Sequence, residues 1–364
     1  MAAEEPRSGN VPALDGMRGL AVLAVMLTHA IYGAPRLQGG SIGVDIFFVL
    51  SGFLITYLLV REYDHNSQQI SFGKFYARRA LRLGPALLAL LLAVTIWGWV
   101  FFERESAQSN LNDALITLFY AANWARAFEI HPPQLLGHAW SLSIEEQFYL
   151  LWPVILLLLL RGIRSRMRIV YLIGAGAIAS WMLRVWMAID GASINRLYNG
   201  LDTRADTLLV GCGLGVLLAS NLIRDDARPA IAARLKPLAP VSAAVFATIV
   251  LYANWQSPHM YYWLFAVVEV LVALLILQIF VAESSATKTF FSLRPLVWVG
   301  TISYGLYLWH YPIYVLLKGY GMTHKGIAFG TVLTFSIAAV SYYAMEKPIL
   351  RFKDRFVMSR TRLD

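Results

Sequence analysis

Apolar runs of roughly the length of a membrane span recur along this chain, separated by short polar segments, and that recurrence limits the fold more than any single residue does. A helix needs about 20 apolar residues to cross a hydrocarbon core, and only helices and closed barrels satisfy every backbone hydrogen bond there. The runs are too long and too uniformly apolar for the alternating strands of an outer-membrane barrel. The chain reads as all-α, a polytopic membrane protein. Composition agrees: 58% of its 364 residues are hydrophobic and 15% charged, whereas soluble domains run near a quarter charged. Its mean hydropathy is +0.57. We place ten spans, at 17–33, 42–60, 84–102, 140–160, 168–189, 205–221, 237–254, 261–281, 299–317 and 327–346.

Ten spans put both termini on one side. The segments on that side carry 22 Lys and Arg and the opposite segments 7, with Arg18 and Arg184 left inside spans. The positive-inside rule then makes both termini cytoplasmic and the location a multi-pass cell inner membrane. The net charge of +9 is mostly this topology, and no soluble domain gathers it for nucleic acid. One cysteine, Cys212, makes no internal disulfide and sits among glycines as a packing residue. The first apolar run, broken by His29 and without a clear cleavage site, is not a signal peptide. The organisation expected is a tail at 1–11, a ten-helix membrane domain over 12–352 and a tail at 353–364, with Met1 to Asn10 and the residues after Arg355 polar and mobile. Glu103 to Ala139 is the one long loop, with a partly amphipathic piece from Leu111 to Phe128.

Polar groups inside spans are the chemical candidates, because ionisable side chains in a bilayer are costly and normally have a task. The stretch LDGMRGLAVLAVMLTH, Leu14 to His29, carries Arg18 and His29 eleven positions apart. On a helix that is nearly one face and about 16 Å, so a fixed cation at one surface and an imidazole near mid-depth are expected. GVDIFFVLSGFLI brings Asp45, a helix cap or an imidazole's partner, and Ser51 and Gly52, a small-residue notch. KFYARRALRLGPAL sets Arg78, Arg79 and Arg82 before Pro85, where they mark topology, touch anionic lipid or bind a phosphorylated ligand.

In GHAWSLSIEEQFYLLWP, His138, Trp140 and Ser141 stand at an outer mouth, and Ser141, Glu145, Phe148, Tyr149 and Trp152 share one face. Glu145 and Glu146 are adjacent and cannot point the same way, so at least one faces the bundle interior. LDTRADTLLVGCGLG offers Asp202 and Asp206 one turn apart, able to share Arg204 as a salt-bridged lid. ISYGLYLWHYP holds Tyr304, Tyr307, Trp309, His310 and Tyr311, where a belt role suits the aromatics and His310 is structural or part of a site. Glu346 is expected to pair with Lys347 or Arg351.

These pieces, in order, make the chain resemble the acyltransferase-3 family of bacterial membrane acyltransferases from about Pro12 to about Phe352. The resemblance implies transfer of an acyl group, usually acetyl, from cytoplasmic acyl-coenzyme A to a hydroxyl of a carbohydrate, lipid-linked saccharide or related acceptor, with no metal. Many relatives carry a hydrolase-like domain after the last span. Here 18 residues follow Glu346, so the chain is expected to work without one or to borrow a separate periplasmic partner, or to act as a homo-oligomer in the lipid bilayer.

On that reading Arg18, Arg78, Arg79 and Arg82 meet the donor's phosphates, since guanidinium forks suit phosphate oxygens. His29 is the general base or carries the acyl group itself, oriented by Glu145, Glu146 or Asp45. His138, Trp140, Ser141, Arg204, Asp206, Tyr304 and His310 are expected around the acceptor. A rival reading makes the Arg18, His29 and Glu145 network the proton relay of a secondary transporter. The inverted repeat usual in that class is not visible.

Overall fold

The computed structural model describes residues 11–31, 37–319 and 324–351. Every element among them is helical. Met1 to Asn10 and the residues after Arg355, expected to be polar and mobile, lie outside the described residues. The chain runs through α1 (Pro12–Ala30), α2 (Ile42–His65) and α3 (Phe72–Phe101). Two short helices follow, α4 (Arg104–Leu118) and α5 (Ala122–Ala127), then α6 (Trp140–Gly162) and α7 (Arg166–Ile189). Next come α8 (Ile194–Asn199), α9 (Ala205–Ala219), α10 (Arg228–Arg234), α11 (Leu238–Tyr252) and α12 (Phe265–Val281). The last are α13 (Ala286–Phe291), α14 (Arg294–Thr301), α15 (Ser303–Gly319), α16 (His324–Val340) and α17 (Lys347–Leu350).

Helices stand at all ten expected spans, but among the described residues seven are long and apolar enough to cross a membrane, or eight if the bent pair α10 and α11 is one span. The other two expected spans fall short for visible reasons. α9 has 15 residues, and the run at 299–317 is divided at Ile302 into α14 and the 17-residue α15. The expected amphipathic piece, Leu111 to Phe128, is likewise two helices, separated by Tyr120 with φ of 53°.

Small residues decide which helices touch. α2 and α9 pack backbone to backbone: a β-carbon at Gly52 would overlap the Leu208 carbonyl, and one at Gly211 the Val49 carbonyl. Gly52 is therefore the packing notch its sequence suggests. The same device joins α1 to α14, with Gly300 against the Asp15 carbonyl and Gly19 against Leu296. Cys212, fully buried, fills the α2–α9 seam. Around this centre α3, α6 and α7 turn apolar stripes outward; Leu88, Leu92, Ile96 and Trp99 on α3 recur at helical spacing and are all exposed. Such a surface is stable only against lipid.

Candidate active site

The last turn of α1 and the middle of α15 meet at two histidines. His29 Nδ1 lies 2.9 Å from His310 Nε2. His310 Nδ1 lies 3.0 Å from the carbonyl oxygen of Leu306, one turn back on α15. A carbonyl only accepts, so Nδ1 is the protonated nitrogen of His310, and in the neutral ring Nε2 is the acceptor. His29 then donates from Nδ1, which leaves its lone pair on Nε2. This fixed tautomer is what a general base or nucleophile needs. The partner differs from expectation: a second histidine, not Glu145, Glu146 or Asp45, orients His29, which stands in the last turn of α1. The same α15 also holds the His29 main chain, since Lys318 Nζ donates to its carbonyl at 2.6 Å. That oxygen is one of the helix-end acceptors with no partner inside α1.

A third histidine completes the cluster. His138 lies in a short turn, Gly137–Ala139, just before α6 and is 2% exposed. Its ring stacks on Tyr311 with centres 5.0 Å apart and stands edge-on to His310 at 5.5 Å. His29 also meets Tyr311, at 5.0 Å. Tyr307 donates to the His138 carbonyl at 2.9 Å, and Ser141 lies 2.5 Å from the Tyr307 hydroxyl. Since the phenol proton goes to the carbonyl, Ser141 is the donor of that second bond. Ser141 and Tyr307 thus hold the turn that presents His138. Gly137 is required beside it, because a β-carbon there would come 2.8 Å from the Tyr311 hydroxyl.

Toward the start of α1 lies a basic layer. Arg79 forms a two-nitrogen bond to Glu146, with Nη2 to Oε1 at 2.9 Å and Nε to Oε1 at 3.1 Å. Its guanidinium also covers the Tyr149 ring at 3.0 Å. Arg18 pairs with Asp15 at 3.0 Å, and Arg78 stands 3.7 Å from Glu62. Arg82 is exposed, within electrostatic reach of Arg18, Arg79, Asp15 and Tyr149, and among the described residues it makes no hydrogen bond or ion pair. Glu145 accepts from Ser51 at 2.6 Å. One turn of α6 separates Glu145 from Ser141, so polar side chains run from this layer toward the histidines. Tyr304 donates to the Leu83 carbonyl at 3.0 Å and ties α15 to α3.

Other expected site residues form a separate buried cluster. Asp45, fully buried in the first turn of α2, pairs with Arg204 at 2.5 Å. Asp206 pairs instead with Arg184, and Asp202 with Arg196. The expected lid of Arg204 shared by Asp202 and Asp206 is therefore absent among the described residues: each carboxylate has its own arginine on a different element. Glu269 on α12 joins them, accepting from Thr207 at 2.7 Å with Arg184 at 4.0 Å. Trp140 packs on Phe48 and Tyr198, with ring centres 6.1 and 4.5 Å away. Glu346 accepts from Ser341, not from Lys347 or Arg351.

The family model described as an acyltransferase domain, acyltransferase-3, matches residues 11–346. This chain belongs to that family. It is 36% identical over 354 residues to a peptidoglycan O-acetyltransferase of Listeria monocytogenes, covering 93% of this chain and 56% of the relative. It is 34% identical over 351 residues to a putative peptidoglycan O-acetyltransferase of Bacillus subtilis, covering 93% and 55%. An O-acetyltransferase of Staphylococcus aureus is 36% identical over 352 residues, covering 93% and 57%. The chain thus spans about half the length of the curated relatives it matches. No solved structure matches it.

The arrangement brings together a nitrogen lone pair of fixed direction and a layer of arginines. Among the described residues no His, Cys, Asp and Glu cluster could hold a metal. Reading the sequence noted Arg184 only as a charge inside a span and missed Glu269 and Lys318. Glu269 had a signal, as a lone carboxylate in an apolar span, and Arg184 had one as a lone cation in another. Lys318 had none, because its partner is a backbone oxygen 289 residues away.

Proposed function

We propose that this chain is an inner-membrane O-acetyltransferase that moves an acetyl group from acetyl-coenzyme A, or another acyl-coenzyme A, on the cytoplasmic side to a hydroxyl of a cell-envelope carbohydrate. Residues 12–352 would form its catalytic membrane domain, with both termini cytoplasmic as the 22 to 7 distribution of Lys and Arg indicates. The relatives' names make a peptidoglycan-type glycan the first acceptor to test. The single observation that carries the reading is the hydrogen-bonded line Leu306 carbonyl, His310, His29, which leaves His29 Nε2 as the reactive lone pair.

The donor's phosphates meet Arg82, which has no bonded partner among the described residues and is flanked by Arg18 and Arg79. Guanidinium donors match phosphate oxygens in charge and geometry. The thioester reaches along the polar side chains of α6 to His29. There Nε2 acts as general base toward the acceptor hydroxyl or attacks the thioester carbon, and His310 holds the ring while positive charge develops on it. The family membership does not favour a transporter.

The test is to place the full chain and His29→Ala in lipid discs with radiolabelled acetyl-coenzyme A and a glycan extract of bacterial envelope. Acceptor-dependent coenzyme A release by the wild type and its loss in the variant are expected. Equal release by both would remove His29 from the chemistry.

A further inference from the structure

His138 is the histidine to which nothing above gives a chemical task. Neither of its ring nitrogens makes a well-formed hydrogen bond although both are buried; the Leu308 backbone reaches the ring only as a weak partner, and no side chain bonds to either nitrogen. A buried polar atom left without a well-formed hydrogen bond is destabilising. The fold nevertheless fixes this ring closely. Tyr307 and Ser141 pin its carbonyl, Tyr311 stacks on its face, and Gly137 leaves room for the Tyr311 hydroxyl. His29 and His138 both lie against His310 and Tyr311, at ring-centre distances of 5.0 to 5.5 Å. Three imidazoles therefore share one space, two bonded to each other and one held with no side-chain partner.

We propose that His138 is the acceptor-side base, whose unpaired ring nitrogen binds the attacking hydroxyl and takes its proton, while His29 handles the acyl donor. This rests on the acyl-transfer reading above and selects the form in which His29 carries the acyl group. The chemistry requires two imidazoles in that case. His29 Nε2 attacks the thioester carbon, the carbon–sulfur bond breaks, and the thiolate leaves to be protonated by water. Acylated at Nε2, His29 has no lone pair with which to accept the hydroxyl proton. His138 accepts it as the hydroxyl oxygen bonds to the acyl carbon. The carbon–nitrogen bond then breaks, its electrons return to His29 Nε2, and His138 releases the proton to solvent. The net change is thioester plus alcohol to ester plus thiol.

The experiment uses the full chain in lipid discs with radiolabelled acetyl-coenzyme A, and compares wild type, His29→Ala, His138→Phe and His138→Gln. Donor alone is given first and acyl label on the protein is measured; envelope glycan extract is then added and labelled glycan is measured. His138→Phe and His138→Gln are expected to acquire protein label within about threefold of wild type, yet to form labelled glycan about 10²–10⁴-fold more slowly, the usual loss of a general base. His29→Ala is expected to lose both. Labelled glycan at the wild-type rate in both His138 variants would overturn the proposal. So would equal loss of protein label and glycan in both, which is what a merely structural His138 gives. If the wild type consumes no donor, the acyl-transfer reading itself fails, and that result is distinct from either.

Discussion

His29 and His310 come from helices 281 residues apart in sequence and are joined by one hydrogen bond of 2.9 Å, with the second nitrogen of His310 fixed by its own helix. Removing His310 leaves His29 free to adopt the other tautomer and to turn away. His310→Ala is expected to lower turnover about 10²–10³-fold with the donor KM within a few-fold of wild type, while His310→Gln, which can still accept from His29, recovers part of the loss. Steady-state kinetics with varied donor checks this; a change confined to KM would contradict it.

Arg82 differs from Arg79 and Arg18 in having no carboxylate of its own among the described residues. Arg82→Ala should raise the donor KM about 10- to 100-fold, the worth of one or two charge-assisted bonds, at nearly constant kcat. Lysine should restore it only in part, since an ammonium lacks the fork. Donor titrations of the three proteins decide it.

The Arg204–Asp45 pair is fully buried. Breaking one side strands the other charge, so Asp45→Asn or Arg204→Met should each cost about 3–5 kcal/mol, whereas the double substitution should cost clearly less than the sum. Thermal unfolding in detergent measures all three.

Gly52 and Gly211 let α2 and α9 touch through their backbones. Alanine at either should cost about 1–3 kcal/mol by forcing the helices apart. Alanine at Gly73, where a β-carbon meets nothing, should cost no such overpacking. Unfolding temperatures of the three variants check the contrast.

Asp113 on α4 accepts from the Gln134 amide at 2.7 Å and contacts His131 at 2.9 Å, anchoring the segment that leads to His138. Burial first, against the opposing pull of these two partners, holds its carboxyl above the usual carboxylate range. Between the ordinary and the raised value the folded form binds more protons than the unfolded, so this group's contribution to stability falls as pH rises through that window. Asp113→Asn should remove this component, measured as the difference between the two proteins' unfolding temperatures across mildly acidic pH.

The helices and many of the polar groups that matter were legible in the sequence. A span must be about 20 apolar residues, and a charge inside one is conspicuous because it is costly. Hence Arg18, His29, Glu145, Glu146 and His310 could be singled out one by one. Their pairing could not. Local spacing suggested Asp202, Arg204 and Asp206 as one group, but Asp202 bonds to Arg196 six residues back, Asp206 to Arg184 on α7, and Arg204 to Asp45 on α2, the helix that Gly52 and Gly211 bring against α9. His138 precedes a span in the sequence, but its burial against Tyr307, His310 and Tyr311 depends on how this turn meets α15.

By itself the sequence determined that this chain crosses a bilayer as helices, which side gathers its basic residues, and which ionisable groups stand in apolar surroundings. All of these follow from solvation, which acts on each segment separately. Only the tertiary structure decided that His29 bonds to a histidine and not a carboxylate, that Arg82 is left unpaired in the described structure, and that His138 is held without a side-chain partner. Hydrogen bonds and ion pairs act over about 3–4 Å, so they depend on which helices meet, and that is fixed by packing between segments far apart in the chain.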